Sequence, residues 1–352
     1  MNIIGKILLL PFQGIYSAVS AVRNYLYDTK KLQSVRFEVL TVSVGNLSVG
    51  GTGKTPMVEY LIRLFEKEHK IGVLSRGYGR KTKGYVLANW QASAETIGDE
   101  PLQFYANHHQ KATVAVCEKR VIGIPLLLQD APDTDIILLD DAFQHRSITP
   151  HINLLLTDYS LLFTNDELLP IGRLRESPKG AKRADAVIVT KCPTNLSAES
   201  MNTISKNIGE YTAANTPVFF STIQYAAPAH FFLPEKFLSE DFLSDNSPSK
   251  KIVLVTAIAN PASIIHFLTQ QNYQIIKHFN FADHYHYTPQ DIQTFNEYLT
   301  DETALFTTEK DKVKLAPLIT DKSLPFYFLP IRTVFLPQND IDFDTWIQKR
   351  CF

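Results

Sequence analysis

Two spacings alternate along the chain. Short apolar, β-branched runs at 39–44, 71–74, 113–116, 135–141, 152–156 and 186–190 read as buried strands. Between them apolar residues recur at helical spacing, most clearly Val58, Leu61, Ile62 and Phe65, in a pattern that ends near Glu68. Strand–helix alternation with short links predicts a mostly parallel sheet with helices on both faces. The chain turns polar and helical over 194–216, and 218–224 reads as an extended linker. Residues 237–250, with several Ser, Asp and Pro, form the best boundary loop. The alternation then resumes, with strands at 252–256, 273–279, 304–307 and 326–329 and helices opening at Pro261 and at Thr288-Pro289. The division that follows is a first α/β domain at 36–216, a linker at 217–250, and a second, smaller α/β lobe at 251–352.

The first 35 residues stand apart as an amphipathic segment. Their longest uncharged run, 7–22, has 16 residues and includes Pro11 and Gln13, whereas a spanning helix wants about 20 predominantly apolar residues. No small-residue cleavage site of the signal-peptide kind follows it. Beyond Pro11 the pattern has two faces: Ile15, Val19, Val22 and Leu26 on one, Gln13, Ser17, Ser20 and Asn24 on the other. Lys6, Arg23, Lys30 and Lys31 flank it. Two readings are open, a helix lying in a membrane interface with its cations toward anionic headgroups, or an ordinary helix packed on a core.

Composition narrows the field. With 352 residues and 45% hydrophobic content the chain can bury two α/β cores. Its net charge of −1, without a long basic run, argues against a nucleic-acid partner. Cys117, Cys192 and Cys351 are isolated, which disfavours a disulfide framework or zinc site and suits a reducing compartment.

The chemistry begins at Gly-Asn-Leu-Ser-Val-Gly-Gly-Thr-Gly-Lys-Thr-Pro (45–56), between the first strand and the first strongly periodic helix. That context makes a glycine-rich run a phosphate-binding loop, here Ser48, Val49, Gly50, Gly51, Thr52, Gly53, Lys54 and Thr55. Its backbone N–H groups curve around phosphate oxygens, and the helix N-terminus adds partial positive charge. Lys54 is expected at the β/γ-phosphates and the Thr55 hydroxyl on Mg²⁺. The strict pattern wants Gly where Ser48 stands. Residues 135–141 (Asp-Ile-Ile-Leu-Leu-Asp-Asp) supply the matching strand, whose Asp140, with Asp141 beside it, is expected to ligate the metal. The fold class is then α/β of the P-loop NTPase-like kind.

Further polar groups cluster at predicted strand ends. Ser-Arg-Gly-Tyr-Gly-Arg (75–80) offers Arg76, Tyr78 and Arg80 to phosphates or an anionic substrate, or is a solvated turn. Gly-Asp-Glu-Pro (98–101) sets adjacent carboxylates before a helix, and Glu118-Lys119-Arg120 opens another. Gln144 and His145 follow the paired aspartates, and Arg175 and Glu176 lie in a basic loop, all four candidate phosphate or substrate contacts. The second lobe has no glycine-rich loop. Its Asp-His-Tyr-His-Tyr-Thr (283–288) is too weak by itself to indicate a metal.

Together, the runs at 43–56, 75–80, 98–101 and 140–145, extended by 283–288 and Thr-Glu-Lys-Asp (308–311), resemble the tetraacyldisaccharide 4′-kinase (lipid A 4′-kinase) family over nearly the whole chain. The family's own pattern has Ser or Thr where Ser48 stands. The resemblance implies transfer of the ATP γ-phosphate to the 4′-hydroxyl of a tetraacylated glucosamine disaccharide 1-phosphate, giving lipid IV-A at the cytoplasmic face of a Gram-negative inner membrane. It implies two lobes joined by a two-stranded linker, with ATP in the cleft. It also implies Asp99 as general base assisted by His284, with His286 two residues away as the alternative. Such a substrate favours the membrane-interface reading of residues 1–35. Arg120 and Arg76 are the candidates to stabilise the transferring group. A nucleotide-driven switch with a second loop lysine is disfavoured because Val49 stands where that lysine belongs. A nucleotide-sensing membrane adaptor would need neither Asp99 nor a substrate cleft.

Overall fold

In a computed structural model, residues 3–232, 250–300, 302–338 and 342–352 are described. The expected boundary loop at 237–250 lies outside them except for Lys250, which opens a strand. The chain begins with α1 (Ile3–Asp28), then β1 (Leu40–Asn46), α2 (Lys54–Phe65), β2 (Ile71–Ser75), β3 (Val86–Leu87), α3 (Ala94–Ile97) and α4 (Asp99–His108). It continues with β4 (Ala112–Val116), α5 (Arg120–Asp130), β5 (Ile136–Asp140), β6 (Ile152–Asp158), β7 (Ala186–Thr190), α6 (Ala198–Gly209) and β8 (Val218–Tyr225). The second lobe holds β9 (Ala229–His230), β10 (Lys250–Thr256), α7 (Ala262–Gln270), β11 (Tyr273–Asn280), α8 (Pro289–Asn296), β12 (Thr303–Thr308), α9 (Glu309–Leu315) and β13 (Phe326–Leu329). Last come β14 (Ile331–Phe335) and α10 (Phe343–Cys351).

Nine strands form the first sheet in the order β14-β8-β7-β6-β1-β5-β2-β4-β3, parallel except for β3 and β14 at its edges. Period-two alternation sorts its side chains. Ile136 and Leu138 of β5 join one core with Met57, Val58, Leu61 and Phe65 of α2, while Ile137 and Leu139 join another with Ile124 and Leu127 of α5. Helices therefore cover both faces, as a parallel sheet requires. The order 6-1-5-2 puts β1 between β5 and β6, in register Val44↔Asp140, so the phosphate loop and the acidic strand end emerge side by side. The second sheet, β11-β10-β12-β13-β9, is parallel except for β9.

The division of the chain needs correction. Residues 218–225 are no free linker, because β8 pairs in parallel with β7 inside the first sheet. Nor does 251–352 belong wholly to the second lobe. β14 returns to pair antiparallel with β8, from Ile331↔Tyr225 to Phe335↔Ser221. Helix α10 then packs Phe343, Trp346 and Ile347 into the core beneath α2. The pair β8–β14 carries the chain out to the second lobe and back. A short alternating strand carries no mark of which sheet it joins; edge availability and register decide that.

Helix α1 is reversed relative to a core helix. Its polar side docks on the first lobe: Gln13 donates to Leu168 O (3.1 Å), Tyr16 to Arg175 O (2.8 Å), Arg23 to Gln144 O (2.8 Å) and Asn24 to Glu176 Oε2 (2.9 Å). Leu8, Phe12, Ile15, Val19 and Val22, at spacings of three and four, are 58–68% exposed. The core-packing reading is thereby excluded. Among the described residues no helix is long and apolar enough to cross a membrane.

Candidate active site

The phosphate loop runs from the buried end of β1 to the N-terminus of α2. Asn46 Nδ2 donates to Thr52 Oγ1 at 2.9 Å, and its Oδ1 lies 3.5 Å from Lys54 Nζ. From the tip of β7, Thr190 Oγ1 donates to Thr52 O at 2.9 Å, while Lys191 Nζ reaches Gly51 O and Asp158. Val49 N is spent on Arg173 O at 2.7 Å, and Ser48 bridges to Leu174. Gly53 caps α2 at φ 82°, a left-handed conformation that glycine adopts without cost. The loop is thus braced from outside, with α2's first N–H groups directed at whatever anion sits there.

Two carboxylates face this cradle. Asp140 Oδ2 accepts from Ser75 Oγ at 2.8 Å, at the end of β2. Burial, reinforced by neighbouring Asp141, pushes Asp140 up to about 6. Burial would raise Asp141 as well, but Lys54 (3.6 Å) and Arg175 (3.0 Å) outweigh it, and its carboxyl sits below the usual range. Asp141 adopts φ 46°, a left-handed conformation that Asp and Asn tolerate better than most residues. Among the described residues no group of three or more His, Cys, Asp and Glu gathers as a metal cage. Thr55, Asp140 and Asp141 are an oxygen-only set of the kind hard divalent cations take alongside phosphate oxygens. Asp140 is raised mainly because burial strips its carboxylate of water, and Asp141 beside it adds to the cost of its charge.

The opposite wall is built from both lobes. Gly98 precedes α4 at φ 91°, ψ 163°, a region open only to glycine, and a Cβ there would stand 2.8 Å from Tyr78 O. The turn places Asp99, 5% exposed, as the first residue of α4. His284, from the second lobe, reaches it: Nδ1 lies 2.9 Å from Asp99 Oδ2. A carboxylate only accepts, so Nδ1 carries the proton. His284 is itself at φ 62°. Burial would raise Asp99, but the His284 hydrogen bond and the Lys314 and Lys310 charges leave it below its ordinary value. The same hydrogen bond holds His284 above its own. His286 is exposed and makes no such contact.

A family model described as tetraacyldisaccharide-1-P 4′-kinase matches residues 5–351. The chain belongs to the tetraacyldisaccharide 4′-kinase family. It is 45% identical to the tetraacyldisaccharide 4′-kinase of Cytophaga hutchinsonii, over 93% of this chain and 91% of that one. It is 40% identical to that of Flavobacterium psychrophilum, over 98% and 96%. Among solved structures it matches Aquifex aeolicus LpxK, crystallised in complex with ATP, at a TM-score of 0.75 and 27% identity over 98% of both chains.

Within this kinase family's architecture the expected site residues fall into three groups. Lys54, Thr55, Asp140, Asp141, Arg175 and Gln144 converge on the cradle. Arg175 Nη1 meets Asp141, and Gln144 Nε2 donates to Asn46 O (2.8 Å) and Glu176 Oε1 (3.0 Å). Asp99, His284 and Tyr78 converge on the opposite wall, the exposed Tyr78 ring 5.6 Å from His284. The third group is mostly committed elsewhere. Arg120 is fully buried beneath the carboxylates, its Nη atoms donating to Cys117 O (2.6 Å) and Asp140 O (2.7 Å). Burial pushes it down to about 10, and it supports the strand end instead of standing free in the cleft. Arg80 is tied to Glu118 and Gly84 O. Glu176, 2% exposed, accepts from Arg183 and Asn24. Arg76 is exposed, with its charge close enough to depress both Arg120 and His145. Burial, then those two arginines, push His145 down to about 4, so it is a neutral imidazole.

Sequence reasoning passed over Asn46, Ser75, Lys310 and Lys314. Asn46 stood inside the quoted phosphate-loop run, and Lys310 inside Thr-Glu-Lys-Asp. Nothing in the sequence ties Ser75 to Asp140, 65 positions away.

Proposed function

We propose that this chain transfers the γ-phosphoryl group of ATP to the 4′-hydroxyl of a tetraacyldisaccharide 1-phosphate, producing lipid IV-A at the cytoplasmic face of the bacterial inner membrane. The observation that carries the reading is the Asp99–His284 contact, 2.9 Å from Nδ1 to Oδ2, which supports Asp99 as the base in a chain that also carries a phosphate loop. Phosphoryl transfer asks mainly for positioning and charge stabilisation. Lys54 would meet the β/γ-phosphates, and exposed Arg76 is free to approach the transferring group. Thr55, Asp140 and Asp141 would hold Mg²⁺, which when bound neutralises charge on the phosphates. As Asp99 takes the proton of the acceptor hydroxyl, the sugar oxygen bonds to the γ-phosphorus, the bond to the β,γ-bridging oxygen breaks, and ADP leaves. His284 orients the base and is not the acceptor of that proton.

The exposed apolar stripe of α1 supports membrane association. Acyl chains leave a bilayer at about 0.8 kcal/mol per CH₂, so the enzyme must go to its substrate. Purified protein with ATP, Mg²⁺ and the disaccharide 1-phosphate in detergent should yield a doubly phosphorylated lipid, with ATP turnover dependent on the lipid. ATP hydrolysis indifferent to lipid, or no phosphorylated product, would overturn the reading.

A further inference from the structure

Lys314 projects from α9 of the second lobe, and its side chain is only 4% exposed. Its ammonium lies 3.1 Å from Asp311 Oδ1, one turn back on the same helix, and 3.5 Å from Asp99 Oδ2 in the first lobe. Nζ also donates to Tyr285 O at 3.2 Å and stands 5.4 Å from the Tyr287 ring. Asp311 is wholly buried, and its Oδ2 accepts from Thr308 Oγ1 (2.8 Å) and Ala257 N (2.9 Å). The lysine is thus held by a counter-ion that is itself fixed to the second lobe's sheet. A buried cation so surrounded has little freedom to turn away.

Two second-lobe groups, His284 Nδ1 and Lys314 Nζ, therefore converge on one oxygen of Asp99. Among the described residues no side chain bonds Oδ1. We infer that Lys314, anchored by Asp311, is a positioning residue for the transfer: it clamps Asp99 Oδ2 beside His284 and leaves Oδ1 as the oxygen that receives the acceptor's proton. The inference rests on Asp99 being the base. Because both groups belong to the second lobe, the base is oriented only when the lobes are together.

The clamp has an electrostatic signature. The groups that bear on Asp99 are His284 from the loop after β11, and Lys310 and Lys314 from α9. Glu100 on its own helix is 3.8 Å from Lys310, whose Nζ is also 3.0 Å from Asp283. Lys314 favours the ionised carboxyl, so its removal lets Asp99 rise, and the reaction needs Asp99 ionised. The acidic limb of kcat/KM for the lipid should therefore move to higher pH.

The test is the pH profile of Lys314→Met, Lys314→Arg and the double variant Lys314→Met/Asp311→Asn, beside Asp99→Asn. Lys314→Met should shift the acidic limb up by about one unit or more and lower kcat with KM for ATP unchanged, and Lys314→Arg should restore part of the shift. Lys314→Met alone strands the buried Asp311 carboxylate and could unfold the lobe. The double variant removes both charges, and a folded double variant with the limb still displaced supports the clamp. A limb at the wild-type position in whichever of the two is folded overturns it. Asp99→Asn separates the two claims. Near wild-type turnover there sinks the base assignment, whereas a dead Asp99→Asn beside an unmoved limb sinks the clamp alone.

Discussion

At the scale of residues, the site is a set of charges whose ionisation each neighbour decides. Asp99 and His284 pull each other apart in pKa, the carboxyl down and the imidazole up, so between those values the pair is ionic. If His284 only orients the base, Asp99→Ala should lower kcat by about 10²–10⁴-fold and His284→Ala by less. The double variant should then be little worse than Asp99→Ala, because groups acting as one unit are not additive. Steady-state kinetics on the four enzymes, with ATP binding measured separately, checks this. Multiplicative losses would make His284 an independent participant. Lys54 offers a second check, since it is the cation nearest Asp141 besides Arg175. Lys54→Ala should cost about 10²-fold or more in kcat at saturating ATP and Mg²⁺, the usual scale for losing transition-state charge stabilisation.

At the scale of elements, α1 inverts the ordinary logic of an amphipathic helix. Its hydrogen-bonding residues hold it to the loops at 144–146 and 168–176, and its apolar stripe is left outward. An exposed apolar face on a well-anchored helix indicates a partner surface, and a bilayer is the partner proposed for it above. Replacing Phe12, Ile15 and Val19 with Ser should release the protein from anionic vesicles in flotation assays and raise the apparent KM for lipid. Activity on detergent-dispersed substrate should change far less. Undiminished flotation would mean that the stripe is not the membrane contact.

At the scale of the whole molecule, the lobes are joined behind the site as well as across it. Asn107 of α4 donates to Glu59 of α2 (3.0 Å) and to Glu309 of α9 (2.9 Å), linking the phosphate-loop helix to the second lobe. Burial, reinforced by Glu309, pushes Glu59 up from its ordinary 4.5 to about 7. A raised carboxyl pKa means that the folded state holds the proton longer than the unfolded chain does. The contribution is complete below about pH 4.5 and is lost as pH climbs through about 7. Glu59→Gln should flatten this part of the stability profile, measured by denaturant unfolding between pH 4.5 and 8, and an unchanged slope would refute the pairing. The returning C-terminus is equally global. Phe343, 2% exposed in the core beneath α2, should cost about 3–5 kcal/mol when replaced by Ala, although it lies outside the site.

Whatever is local was legible in the chain. Period-two and helical spacing marked the strands and the larger helices, and the glycine-rich run between β1 and α2 marked the phosphate loop, because both signals are written in consecutive residues. The two-faced pattern of α1 was also legible, but not its direction, since a stripe looks the same whether it packs on a core or on a membrane. That the polar side docks emerges from packing against the first lobe. Packing also spent Arg120 on backbone carbonyls and folded 331–352 back onto the first sheet. Above all it brought Lys314 and His284 to Asp99 from 215 and 185 positions away. Distant charges carry no periodic signal, and the closure that brings them together is a property of packing two cores, not of any one stretch of chain.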